Sequence, residues 1–265
     1  MTQAQLEQLT TLACQAVQET AAFIRGEIGK VQVNQIEEKF LNGLVSYVDR
    51  TAEETLVSKL SDLLPEAAFL TEEETVAQND AYFQWIIDPL DGTTNFLYGL
   101  PHYSISVALK AGEQLVIGIV YHVPNEALFY AWLGGGAFCN GQPIHVGQRG
   151  EMRQALIGTG FPYHNFSRAD AWFGALKTFT QEARGVRRFG SAALDLAYVA
   201  CGKFDVFFEY GLNAWDVAGG AVLVREAGGF VSDFEGGSLF VEKREILAAS
   251  TAVYPAALTV MRQHF

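Results

Sequence analysis

Trp85-Ile86-Ile87-Asp88-Pro89-Leu90-Asp91-Gly92-Thr93-Thr94-Asn95-Phe96 is the most informative stretch of the chain. Its three leading apolar residues read as a short buried strand that carries Asp88 to the end of a sheet. Pro89 then fixes the chain direction and Gly92 permits a sharp turn. Asp88 and Asp91 can thus face one point, with the Leu90 carbonyl between them. Hard cations such as Mg²⁺ take oxygen ligands of this kind. The amides of Gly92, Thr93 and Thr94 follow at once and can point at a phosphate, as at a helix N-terminus or a backbone nest. Asp, Pro and Gly are also ordinary turn formers, and Asp-x-x-Asp-Gly by itself reads more simply as an Asp-rich turn. The attached Thr-Thr-Asn-Phe makes the string far more specific.

Just upstream, Phe69-Leu70-Thr71 leads into Glu72-Glu73-Glu74. Adjacent acids usually form a solvated face; at the end of a buried strand the first can instead turn inward as a ligand. Downstream, residues 104–110, 115–121 and 127–132 are apolar runs bounded by Gly, Pro and Asn turn signals. They predict an antiparallel meander, with a further tight turn at Asn140-Gly141. Leu6, Leu9, Ala13, Val17 and Ile24 mark an amphipathic opening helix. A second helix is expected over residues 51–64, stopped by Pro65. Residues 26–42 read as a hairpin or mobile loop.

Beyond Gly150 the pattern alternates. Strands near Leu156 and Val186 and over residues 205–208 and 246–249 are interleaved with helices over 172–179, 191–200, 216–227 and 254–262. Such alternation predicts layered α/β packing in one domain spanning residues 1–265. A soft division falls at Gly150, between N-terminal helices plus meander (1–150) and an α/β half (151–265). Asp216 opens one of these helices and Asp49 immediately precedes the second; each, alone, reads as a helix cap.

The formal net charge of −12 disfavours nucleic acid and anionic membrane as partners. With 49% hydrophobic residues the chain can build a core, yet no apolar run is long enough to span a bilayer. Residues 1–19 are polar and periodic, unlike a secretion signal. Cys14, Cys139 and Cys201 are widely separated and suit a reducing cytoplasm better than a disulfide frame. An acidic protein that handles a phosphate needs local cations, which carboxylates can hold.

In at least four places the sequence resembles the inositol monophosphatase family. The string Asp88 to Phe96 is similar to its first signature, and Trp215-Asp216-Val217-Ala218-Gly219-Gly220, continuing to Glu226-Ala227-Gly228-Gly229, to its second. Phe69-Leu70-Thr71-Glu72-Glu73 resembles the glutamate motif, with Thr71 where Gly is common. Val45-Ser46-Tyr47-Val48-Asp49 resembles the segment whose Asp pairs with the signature threonine, although Gly43 stands where an Asp is frequent. The resemblance implies an alternating α-β-α-β-α sandwich of the inositol monophosphatase/fructose-1,6-bisphosphatase type. It implies a homodimer, two or three Mg²⁺ ions and sensitivity to Li⁺. Glu72, Asp88 and the Leu90 carbonyl would hold the first ion, Asp88, Asp91 and Asp216 the second, and Glu72 would help with a third. Thr93, paired with Asp49, would activate water. Gly92, Thr93 and Thr94 would cradle the phosphate of a small phosphorylated substrate, while Gly190, Ser191, Ala192, Glu209 and Asp216 would contact the rest of it. Alone, Glu209 is an exposed strand-end acid and Ser191 a helix cap. Lys39 matches a mobile-loop lysine, or is a solvated surface lysine.

Inositol monophosphate is the expected substrate. Fructose 1,6-bisphosphate, histidinol phosphate and adenosine 3′,5′-bisphosphate are the alternatives within the same chemistry. A noncatalytic regulatory partner and a Ca²⁺-binding structural module are the readings from other classes.

Overall fold

The computed structural model describes residues 1–40, 43–162 and 165–265 and, of Lys39 and Phe40, the backbone alone. Helix α1 (Gln3–Gly26) opens on a capping box: the Gln5 amide donates to Thr2 Oγ1 at 3.3 Å, and the Thr2 amide to Gln5 Oε1 at 2.7 Å. A hairpin of β1 (Glu37–Phe40) and β2 (Gly43–Val45) follows; its first strand falls within residues 26–42, where a hairpin or loop is expected, and its second lies just beyond. Helix α2 (Tyr47–Leu63) starts four residues ahead of its expected position. The reason is Ser46, whose hydroxyl accepts from the Val48 amide while its own amide donates to Asp49 Oδ2 at 2.8 Å. Asp49 is therefore the third helical residue and not the cap.

Strands β3 (Ala68–Thr71), β4 (Phe83–Asp91), β5 (Ser104–Ala111), β6 (Gln114–His122), β7 (Ala127–Trp132), β8 (Gly136–Cys139) and β9 (Gln142–Ile144) form a seven-stranded sheet in chain order. The short helix α3 (Thr93–Leu97) interrupts it after β4. β3 runs parallel to β4, and the remaining neighbours pair antiparallel as the meander requires. β3 is a half-buried edge strand and not the fully buried one expected; only Thr71 is shielded, because β4 covers one side alone.

The second half supplies β10 (Leu156–Thr159), α4 (Ala169–Glu182), β11 (Gly185–Arg187), α5 (Ala192–Ala200), β12 (Val206–Tyr210), α6 (Ala214–Glu226), β13 (Phe230–Ser232), β14 (Glu245–Ala249) and α7 (Tyr254–His264). Its five strands order as β11-β10-β12-β14-β13, parallel around β10 and antiparallel around β14. Helices α1 and α2 pack on one face of the large sheet, α5 and α6 lie between the two sheets, and α4 and α7 cover the far face of the small one. The result is the expected α-β-α-β-α sandwich. Among the described residues three large apolar clusters, centred on residues such as Leu56 and Ile87, Leu196 and Phe207, and Trp172 and Phe179, and a small fourth of Ile86, Ala108 and Ala218 fill the gaps between layers.

The central helices approach the large sheet backbone to backbone. A Cβ on Gly118 of β6 would come within 2.3 Å of the Gly219 carbonyl of α6. One on Gly220 would meet the Leu196 side chain of α5 at 2.4 Å. The paired glycines after Asp216 are thus the price of seating α6 deep between its neighbours, with its first turn at the sheet end. Among the described residues no helix is long and apolar enough to cross a membrane.

Candidate active site

β4 ends in a kink that its sequence dictates. Asp88 pairs with Ser106 and Asp91 with Ser104, but the register slips between them. The Leu90 amide turns inward and donates to Asp88 Oδ1 at 2.9 Å. Gly92 takes φ +95°, the left-handed conformation expected of the turn, and starts α3. Thr93 is the first residue of that helix, and its Oγ1 lies 2.9 Å from Asp49 Oδ1 and 3.0 Å from the Leu90 carbonyl.

Other elements converge on the same point. Ser191, which caps α5 by accepting from the Leu194 amide, donates its hydroxyl to Asp91 Oδ2 at 2.6 Å; the Ala193 amide reaches the same oxygen at 2.8 Å. Asp216 is the third residue of α6 and not its opening residue: Asn213 is the cap, and its amide donates to Asp216 Oδ2 at 2.6 Å. Ser106 Oγ ties β5 to the Trp215 carbonyl at 3.0 Å, which locks the start of α6 to the sheet. Asn95 Nδ2 ties α3 to the loop before β5 through the His102 carbonyl (2.7 Å) and to the loop before α5 through the Phe189 carbonyl (2.9 Å).

These contacts bound a cavity of about 660 Å³. Glu72, Asp88, Leu90, Asp91, Gly92, Thr93, Thr94, Gly190, Ser191, Ala192, Glu209 and Asp216 all line it. Asp49 reaches it through Thr93. Every residue given a metal, catalytic or substrate role in the sequence is thereby gathered into one place, while the Lys39 side chain lies outside the described residues. Glu209 is buried and not the exposed strand-end acid that its position alone suggested.

Burial and like charge act together on the acids of the cavity. Asp88 is pushed well above the usual carboxylate range, first by burial and then by the charges of Glu72, Asp91 and Asp216. Burial likewise raises Asp91 to about 6, against the opposing bonds from Ser191 and the Ala193 amide. Asp216 is raised by burial and by Glu72 and Asp91. Among the described residues no three acids, His or Cys are already drawn to metal-binding range. Glu72 raises the Asp88 carboxyl by a side-chain hydrogen bond as well as by its charge. Hard oxygens, like charge and burial together fit a divalent ion such as Mg²⁺.

Sequence reasoning missed part of the wall opposite these acids. Asp195 of α5 is buried, with Oδ1 unpartnered among the described residues, and burial and Glu209 raise its carboxyl well above normal. The Arg188 guanidinium opposes both shifts and lies over the Phe161 ring at 5.5 Å. Gly160 is bare because a Cβ there would sit 2.1 Å from the Glu209 carboxylate. Asp195 falls at the apolar-periodic face of its helix, a signal that could have flagged it. Arg188 and Gly160 carry none that a single sequence exposes.

The model of the inositol monophosphatase family matches residues 5–264. The chain belongs to the inositol monophosphatase family. Within it, the chain is 38% identical over 264 residues to Nus factor SuhB of Pseudomonas aeruginosa, an alignment that covers 98% of this chain and 97% of that one. It is 39% identical to an inositol-1-monophosphatase of Mesorhizobium japonicum, with 96% of each chain covered. Among solved structures, the extragenic suppressor protein suhB from Bartonella henselae superposes with a TM-score of 0.91 at 37% identity, covering 96% of this chain and 98% of that one. Inositol monophosphatase from Anabaena superposes at 0.87 and 30% identity, covering 98% and 97%.

Proposed function

We propose that this family member hydrolyses a small phosphate monoester, myo-inositol monophosphate foremost, by attack of water with Mg²⁺ as the cofactor. The observation that carries the reading is the convergence of Glu72, Asp88, Asp91 and Asp216 on one cavity beside the Thr93–Asp49 pair. Relatives named inositol-1-monophosphatase support the substrate.

Glu72, Asp88 and the Leu90 carbonyl hold one ion; Asp88, Asp91 and Asp216 hold a second, and Glu72 contributes to a third. Bound there, Mg²⁺ supplies charge neutralisation for the phosphoryl group and its leaving oxygen, and acidity for a water. Thr93 Oγ1 donates to Asp49 Oδ1, so a water that donates to Thr93 passes its proton along the pair. Burial raises the Asp49 carboxyl, against the bonds from Ser46 and Thr93, and thus favours uptake of that proton. The amides of Gly92, Thr93 and Thr94 cradle the phosphate. Glu209 accepts from hydroxyls of the leaving alcohol, with Gly190, Ser191 and Ala192 lining its path. Phosphoryl transfer asks chiefly for positioning and charge neutralisation, so no phosphoenzyme is required. In this reading the protein is a Li⁺-sensitive cytoplasmic homodimer.

Turnover of inositol monophosphate, fructose 1,6-bisphosphate, histidinol phosphate and adenosine 3′,5′-bisphosphate at matched Mg²⁺ tests the substrate. Inositol monophosphate is expected to give the highest kcat/KM. No turnover of it beside rapid release from the nucleotide would reject the assignment.

Relatives named Nus factor SuhB favour a second, binding role on the same fold. Survival of a cellular phenotype in Asp88→Asn, with turnover lost, would separate that role from catalysis.

A further inference from the structure

Helix α2 touches the site twice. Asp49 takes the Thr93 hydroxyl, and one turn further on Glu53 takes the loop that follows Glu72. Glu53 is wholly buried. Its Oε2 accepts from the Glu73 amide at 2.8 Å, and its Oε1 accepts from both the Thr75 amide and the Thr75 hydroxyl at 2.8 Å. Glu74, between those amides, sits at φ +52°, a left-handed conformation that a non-glycine residue adopts only when its surroundings hold it there. On the other side of Glu72, the Thr71 amide donates to Gln78 Oε1 at 2.8 Å, and the Glu72 amide donates to the Ile87 carbonyl at 3.2 Å.

Burying an acid is costly, and an apolar side chain would fill the same space without that cost. What the carboxylate adds is direction: its oxygens fix two amides and a hydroxyl immediately beyond Glu72. An edge strand cannot do this, because β3 has a sheet neighbour on one side only. We propose that Glu53 is a positioning residue that aims Glu72 at the bound cation and thereby sets metal affinity. The inference rests on Glu72 being a metal ligand.

Calorimetric titration with Mn²⁺ or Mg²⁺, on wild type, Glu53→Gln, Thr75→Val and Glu72→Gln, tests it. The Gln variant presents an NH₂ where an oxygen accepted a hydrogen bond, and metal affinity is expected to fall roughly 10- to 100-fold, as for other groups that support a ligand from behind. The Mg²⁺ concentration for half-maximal activity should rise in parallel, by a larger factor than kcat falls. Thr75→Val keeps the amide bonds and should shift affinity in the same direction by less; it decides the matter if Glu53→Gln does not fold. A folded Glu53→Gln with a lowered Tm and unchanged metal affinity would overturn the proposal while Glu72→Gln still weakens binding. Should Glu72→Gln leave metal binding intact, the ligand assignment itself fails, and the proposal with it.

Discussion

At the scale of single residues, burial decides most of the chemistry. Asp88, Asp91 and Asp216 are held where each charge opposes the others, and burial is the first cause of every one of their shifts. A residue outside the site shows the same physics with the opposite sign. His102 packs against the rings of Phe189 (4.9 Å) and His122 (5.5 Å), and its buried Nε2 is unpartnered among the described residues. Burial, and then His122, lower it from 6.5 to about 4. A depressed histidine is neutral in the fold, so the stability it protects is complete above pH 6.5 and drains as pH falls toward 4. In urea denaturation, wild type relative to His102→Phe should lose roughly 1–2 kcal/mol between pH 7.5 and 5, allowing for partial solvent access to the ring. A difference that stays constant across that range would contradict the assignment. Subtracting the variant cancels the carboxylates, which titrate in both.

At the scale of elements, α6 carries Asp216 and is held by close backbone contact. A Cβ on Gly118 would meet the Gly219 carbonyl at 2.3 Å and Val222 Cβ at 2.7 Å, and neither is a flexible tip that can move aside. Gly118→Ala is therefore expected to cost about 1–3 kcal/mol in urea denaturation. Gly150→Ala, with nothing within 4 Å of the new methyl, should stay within about 0.5 kcal/mol of wild type. Equal stability of the two variants would count against the packing described. Most element positions were legible in the sequence, since apolar periodicity is a local signal: β7 and α7 begin where they were expected. Element starts were less so. Asp49 and Asp216 both looked like caps, because an acid at the third helical position and one at the cap differ only in which residue stands three places earlier. Ser46 and Asn213 carried that signal. Arg188 and Gly160 depend on contacts between distant segments, which no local pattern encodes.

At the scale of the whole molecule, the cavity opens where both halves of the chain meet. β4 and α3 from the first half supply Asp88, Asp91 and Thr93; α5, β12 and α6 from the second supply Ser191, Glu209 and Asp216. The site thus draws on residues from both sides of Gly150, and neither set assembles it alone. A net charge of −12 would repel a phosphate from such a cavity unless cations intervene. The most direct measurement is phosphate release from myo-inositol monophosphate during a Mg²⁺ titration of metal-stripped protein, run beside Asp88→Asn. Wild type should be inert without metal and rise saturably with Mg²⁺, while the folded variant stays at least about 10³-fold lower throughout. Undiminished release after metal removal, or a fully active Asp88→Asn, would contradict the account.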